Sequence, residues 1–209
     1  MKKLFGDLKM KWLTVILFAV VAGVYTGLVM SFDVLKETSV QDIGMTYEWW
    51  VIFAIIIVVN CQKNWEAMLK CFVFFLISQP VVFLTEILLG HVTMYMGLYY
   101  YRQIWLPMTF LTLPGGLIAY YCKKQNLVGA IILALGNLIQ VVMGCSYAIK
   151  AISDFPHHIV TAVVCFASVF VMSFCIQKEK KYRTISIVVP FVLMVLVGVL
   201  LAATGRVLA

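Results

Sequence analysis

The sequence predicts an all-α fold, a polytopic transmembrane bundle of about seven helices, and three observations support this. Of the 209 residues, 64% are hydrophobic and 12% are charged, with a mean hydropathy of +1.02, whereas soluble domains are about half apolar and a quarter charged. Seven segments approach the length of about 20 apolar residues that crosses a bilayer. Basic residues concentrate at alternate ends of those segments. Together these features predict one integral membrane domain over residues 1–209, surrounded by the lipid bilayer.

The predicted spans lie near residues 13–32, 43–61, 67–89, 104–122, 127–149, 157–177 and 184–204. The first follows several lysines, as a signal peptide would, but its apolar run is too long for a typical h-region and no convincing cleavage site follows. We therefore expect it to be a retained span. The second is the weakest, because its continuous apolar run from Trp49 to Val59 is short. Six spans plus a re-entrant segment is the alternative.

The distribution of the 16 Lys and Arg residues predicts the topology. If the N-terminus is cytoplasmic, the seven spans leave only Lys36, Arg102, Lys150 and Arg206 outside, as the positive-inside rule requires. We expect a multi-pass protein of the plasma membrane with an extracellular C-terminus. The net charge of +7 forms no single patch, so no nucleic-acid partner is predicted.

Small residues in the first span predict close helix packing. Ala19, Gly23 and Gly27 recur at every fourth position, which gives one smooth helix face that lets another backbone approach. Leucine at Gly23 is expected to overpack this contact, and alanine to be much milder.

Polar or helix-breaking residues occur at similar depth in three predicted spans. They are Gln79, followed by Pro80; Pro114 and Gly115, from LPGG; and Asn137 with Gln140. Proline weakens a helix by removing a backbone hydrogen bond, and many transporters build their substrate sites from interrupted helices near the bilayer midplane. These residues, together with Glu86, are predicted to form a polar substrate pocket.

Glu86 has two interpretations. It lies two helical turns from Gln79 on the same face, so it either stands at the outer mouth of the pocket or extends to water at the span's end. An enclosed carboxylate would be paired or protonated. The other predicted polar residues of the outer mouth are His91, Arg102, Asp154, His157 and His158.

The stretch SDFPHH, residues 153–158, also has the pattern of a helix start. Ser153 or Asp154 would be the N-cap, and Pro156 would lie in the first turn. Adjacent histidines point about 100° apart on a helix, which makes a shared metal ion awkward. No metal site is predicted.

Sequence motifs of catalysis are missing. There is no G-x-S-x-G, H-E-x-x-H or P-loop pattern. The six cysteines form no C-x-x-C pair, which argues against a disulfide framework or a zinc site. We therefore predict no enzymatic activity and no cofactor.

The stretch TYEWWVIFAIIIVVNCQKNWEAMLKCFVFFLISQPVVFL, with LPGGLIAYYCKK and FPHH, resembles uncharacterised multi-pass membrane proteins of Firmicutes. That resemblance implies no activity. In size the chain is similar to substrate-binding subunits of energy-coupling-factor vitamin transporters, which implies six spans with both termini inside, unlike the topology predicted above.

The leading functional hypothesis is a small transporter or permease-like protein with a midplane polar site for a small molecule or ion. One alternative is a non-transporting membrane module, namely an assembly partner, sensor or immunity factor, that contacts another copy or a membrane partner through the Ala19/Gly23/Gly27 face. Another is a substrate-binding subunit of a larger transporter. A membrane enzyme that acts on lipids is the third class.

Overall fold

The computed structural model describes residues 10–36, 38–45, 47–153 and 157–203. Its helices are α1 (Trp12–Ser31), α2 (Ser39–Met45), α3 (Tyr47–Val59), α4 (Asn64–Leu88), α5 (Met94–Tyr100), α6 (Leu106–Ala119), α7 (Leu127–Ser153), α8 (Ile159–Ile176) and α9 (Lys180–Ala203). Strands do not occur in these ranges, so the predicted all-α class is confirmed.

Within the part of the chain that the structure describes, six helical stretches are long and apolar enough to cross a membrane. They are α1, α4, the continuous stretch Met94–Lys123 that contains α5 and α6, α7, α8 and most of α9. The predicted polytopic transmembrane bundle is therefore confirmed. The helices form two compact units, Met1–Tyr120 and Tyr121–Ala209. The prediction of one domain over the whole chain stays a prediction.

Helices α1 and α4 pack side by side and run parallel. Lys70 of α4 reaches the carbonyl of Met10 at one end of the pair, and Gly27 lies against Thr85 at the other. The connecting residues 32–63 must therefore lead back from the far end of α1 to the near end of α4. This agrees with the return crossing that the charge pattern predicts, although α3 has only 13 residues. At 1.5 Å per residue α3 spans about 20 Å, less than the hydrocarbon core.

Aromatic rings fill the core of the first unit where α1, α3 and α4 meet. The Phe18 ring of α1 lies 5.0 Å from that of Phe74, and Trp50 of α3 lies 5.7 Å from Phe75. Ring pairs at such distances add about 0.5–1.5 kcal/mol each beyond the burial of their area. This cluster holds α3 against α4 even though α3 is short.

The α5–α6 stretch runs antiparallel to α4. Gly116 packs on the carbonyl of Ala67, where an added Cβ would lie at 3.1 Å. The interruptions expected at Pro80 and at Pro114–Gly115 are wrong, because both prolines lie inside continuous α-helices. A proline removes only one backbone hydrogen bond, and neighbouring helices allow a membrane helix to tolerate that loss. The irregular part of this stretch is instead a π-helical turn at Tyr101–Trp105.

The second unit consists of α7, α8 and α9. Helix α8 is antiparallel to α7. Gly144 of α7 packs on Cys165, and Tyr147, one turn further along α7, lies beside His158, which comes before Cys165 in the chain. Helix α9 in turn is antiparallel to α8, with Phe191 beside Phe166. Helices α7 and α9 therefore run in the same direction, which brings their N-terminal ends to one end of the unit.

Candidate functional site: the polar segment of α4

A group of polar side chains is buried in the middle and second half of α4. Ser78, Gln79 and Glu86 are 0%, 3% and 5% exposed, respectively. We refer to Ser78–Glu86 as the α4 polar segment. Gln79 and Glu86 lie seven residues apart, which places them two turns apart on one helix face. The surrounding sequence is apolar, so the helix must carry these groups into a low-dielectric environment.

Two of these side chains have hydrogen-bonding groups without a partner among the residues that the structure describes. They are the Gln79 Nε2 donor and the Ser78 hydroxyl, and both are buried. Burying an unpaired amide or hydroxyl costs roughly 1–3 kcal/mol in proteins, so most buried polar groups are paired. Trp49 Nε1, Asn137 Oδ1 and Gln177 Oε1 are also unpaired within the described ranges, but Ser78 and Gln79 are adjacent on one helix.

Glu86 is buried as well. Within the described ranges its carboxylate forms no hydrogen bond or ion pair, and the ionisable side chain that interacts with it is His91. The His91 backbone N–H donates to the Glu86 carbonyl at 3.0 Å, which places His91 just beyond the end of α4. An exposed fraction of 5% argues against a carboxylate that extends fully into water.

The residues predicted for the outer mouth occupy different places. His91 lies beside Glu86, and Arg102 is exposed on the π-helical turn. In the second unit His157 is exposed, whereas His158 is buried with its ring 5.4 Å from that of Tyr147. Asp154 lies outside the described residues. Within the first unit, His91 is therefore the predicted outer-mouth residue that lies close to Glu86.

The same end of the first unit carries an exposed ion pair. Lys36 Nζ lies 2.7 Å from Asp33 Oδ1. The hydrogen bond and the charge of Lys36 hold the pKa of Asp33 below its ordinary value, and the charge of His91 lowers it further.

The midplane amides of the second unit join helices. Asn137 of α7 is fully buried, and its Nδ2 donates to Ser173 Oγ of α8 and to the Ser186 carbonyl of α9, each at 2.9 Å. Ser168 of α8 donates to Gln140 Oε1 at 3.1 Å. Such interhelical bonds are worth about 0.6–1.7 kcal/mol each in membrane bundles. The two amides thus join neighbouring helices, and this role accounts for their burial without a bound solute.

Pro114 and Gly115 lie on an exposed side of α6. An added Cβ on Gly115 would meet nothing within 4 Å. The neighbouring Gly116 is the residue that faces α4. The predicted contribution of Pro114 and Gly115 to a pocket stays a prediction, whereas the side of α6 that faces α4 falls on Gly116, since a helix turns by about 100° per residue.

Sequence reasoning also missed a buried ion pair at the start of α4. Lys70, 4% exposed, donates to Glu66 Oε1 and to the carbonyl of Met10, and its Nζ lies 5.6 Å from the Trp12 ring centroid. Glu66 Oε2 accepts from the backbone N–H of Gln62 at 2.8 Å. The signal was the Glu-to-Lys spacing of four residues, which pairs on a helix. From the sequence alone, Lys70 contributes only to the count of basic residues on the cytoplasmic side.

All six cysteines are free thiols. Among the residues that the structure describes, no group of three or more His, Cys, Asp or Glu side chains is placed to hold a metal ion. No protein-family model, curated protein or solved structure matches the chain. The α4 polar segment is therefore the feature from which a function can be inferred.

Proposed function

We propose that this protein is a small transporter or permease-like membrane protein whose α4 polar segment contacts a polar solute or ion. The observation that supports the proposal is the buried Gln79 amide, whose donor has no acceptor among the residues that the structure describes, with the buried Glu86 carboxylate on the same helix face. Ionisable residues within membrane helices commonly mark solute, ion or proton pathways. Transporters commonly place their substrate sites near the middle of their membrane helices, where hydrogen-bonding groups contact the substrate.

The two side chains offer complementary chemistry. Gln79 Nε2 donates a hydrogen bond, so it suits a solute with an oxygen or nitrogen acceptor. Glu86, about 10 Å further along the helix, accepts a cation or exchanges a proton. His91, just beyond the end of α4, is a second ionisable side chain that interacts with Glu86. The arrangement fits a solute that moves together with a proton or cation.

One surface that would serve a non-transporting module is occupied within the chain. Gly23 and Gly27 lie directly against the Ser78 and Val82 carbonyls of α4. The face predicted to hold a partner is thus covered by α4 itself. This favours the transporter hypothesis over an assembly partner that binds through that face.

Accessibility of Gln79 tests this proposal. In reconstituted liposomes, Gln79→Cys is expected to react with a small charged methanethiosulfonate reagent at least about tenfold faster than Ala67→Cys, because Ala67 is buried where α6 packs on α4. The parent protein, measured in parallel, supplies the background of the native cysteines. Equal, slow reaction of both variants from both sides would show a dry core and contradict the proposal.

A solute screen extends the same test to Glu86. Melting temperatures in detergent would be measured against amino acids, nucleosides, sugars and organic cations. A stabilising solute is expected to bind Glu86→Gln about 10- to 100-fold more weakly, as for loss of a hydrogen bond to a charged group, while the unliganded melting temperature changes little. Unchanged affinity would remove Glu86 from the site.

We also propose that the chain lies in the plasma membrane with a cytoplasmic N-terminus, on the basis of its basic loops. In intact cells, a cysteine at the exposed position of Lys36 is expected to react with an impermeant maleimide, and one at Lys180 only after permeabilisation. The parent protein reports the labelling of native cysteines. Labelling at Lys180 in sealed cells would reverse the topology.

A further inference from the structure

Two short basic stretches of the second unit are joined side by side. Residues 121–126 precede α7, and residues 177–183 lead from α8 into α9. Gln125 Nε2 donates to the Ile176 carbonyl at 2.9 Å, and Gln177 Nε2 donates to the Cys122 carbonyl at 2.6 Å. The Lys178 backbone N–H donates to Gln125 Oε1 at 2.7 Å. These reciprocal glutamine bonds fix the two stretches against each other.

The joined stretches concentrate positive charge, and we call them the basic end. Its cations are Lys123, Lys124, Lys178, Lys180, Lys181 and Arg183. Glu179 is the one carboxylate in the two stretches, and it forms no ion pair with a described residue. Two cations are held by rings: Lys124 Nζ lies 4.5 Å from the Tyr121 centroid, and the Arg183 guanidinium lies 4.4 Å from that of Phe174.

Helix termini add to this positive potential. Helices α7 and α9 both begin at the basic end, and neither has an acidic residue in its first turn. The N-terminus of a helix carries a partial positive charge, which disfavours nearby cations. Helix α8 ends here and offsets one of the two termini. The basic end therefore combines six cations and one carboxylate with two helix N-termini and one helix C-terminus. Its net charge is positive, so a bound anion would stabilise it.

We propose that the basic end binds the phosphate headgroup of an anionic phospholipid. It lies at the ends of three candidate membrane spans, so its height is that of the headgroup layer. Clusters of Lys and Arg beside membrane helices attract anionic lipids. The glutamine bonds and the ring contacts hold the two stretches and two of the cations in position before the lipid arrives, which reduces the entropy lost on binding.

The test compares phosphatidylglycerol with phosphatidylcholine, each titrated into the full-length protein in neutral detergent while its melting temperature is recorded. Phosphatidylglycerol is expected to raise the melting temperature and phosphatidylcholine to leave it unchanged. In the double variant Lys124→Gln/Lys178→Gln the apparent affinity is expected to fall about 25-fold, or roughly five-fold per lysine. Both lysines are exposed, so folding should survive.

The matched control is Lys36→Gln/Lys150→Gln, which removes two exposed lysines that do not belong to the two joined stretches and should leave the affinity unchanged. An equal loss in the control would mean that net charge alone attracts the lipid, which overturns the proposal. Equal stabilisation by the two lipids would overturn it too. Inorganic phosphate is expected to have no effect, and stabilisation by phosphate alone would identify a soluble anion instead of a lipid.

Discussion

Replacing Glu66 with leucine is expected to lower the free energy of unfolding by about 3–5 kcal/mol, the usual result of removing one partner of a buried ion pair. The variant leaves the Lys70 ammonium, whose side chain is 5% exposed, with the Met10 carbonyl as its remaining bonded partner. It also removes the acceptor of the Gln62 backbone N–H at the start of α4. Denaturant titration in detergent micelles measures the change.

The reciprocal variant Lys70→Met should cost less. It leaves the Glu66 carboxylate 23% exposed and still bonded to a backbone N–H, so water and the helix start can stabilise its charge. The double variant Glu66→Leu/Lys70→Met is expected to recover most of the loss, because no unpaired charge remains buried. If the losses of the single variants simply add in the double variant, the two side chains are not coupled and this interpretation is wrong.

Replacing Gly23 with alanine is expected to destabilise the protein by about 1–3 kcal/mol, even though it adds one carbon atom. That Cβ would lie 2.6 Å from the Ser78 carbonyl oxygen and 2.8 Å from Val81 Cβ. Backbone atoms of α4 cannot rotate aside, so α1 and α4 must separate. That alanine is much milder than leucine stays a prediction, but the distance to the facing backbone indicates that alanine already carries a cost of its own.

Two glycines provide the control for that variant. Gly115→Ala in α6 and Gly198→Ala in α9 place a Cβ where nothing lies within 4 Å. Helix propensity alone predicts that each is neutral or stabilising by up to about 1 kcal/mol. Thermal unfolding in the same detergent compares the three variants. A Gly23→Ala protein as stable as these controls would show that α1 does not approach α4 as closely as the structure indicates.

Among the site residues, depth and helix face could be predicted from sequence, but hydrogen-bond partners could not. The sequence predicts that Gln79 and Asn137 are buried amides near the midplane, and the exposed fraction of each side chain is 3% or less. Asn137 Nδ2 donates to the carbonyl of Ser186, which lies 49 positions away in the chain, whereas Gln79 Nε2 has no acceptor among the described residues. Which amide finds a partner depends on the helix that packs opposite, and no local pattern encodes that.

The positions of the long apolar helices could be predicted from the sequence, because hydropathy and segment length are local properties and they decide which helices can span a bilayer. The sequence also identified the small-residue face of α1. The tertiary structure alone decided that α4 covers that face in parallel orientation, that α4 continues through Pro80, and that Lys70 is buried with Glu66. Lipid tails solvate apolar side chains about as well as another helix does, so the hydrophobic effect does not select helix partners in a bilayer. Helix pairing depends instead on shape and on hydrogen bonds between distant segments.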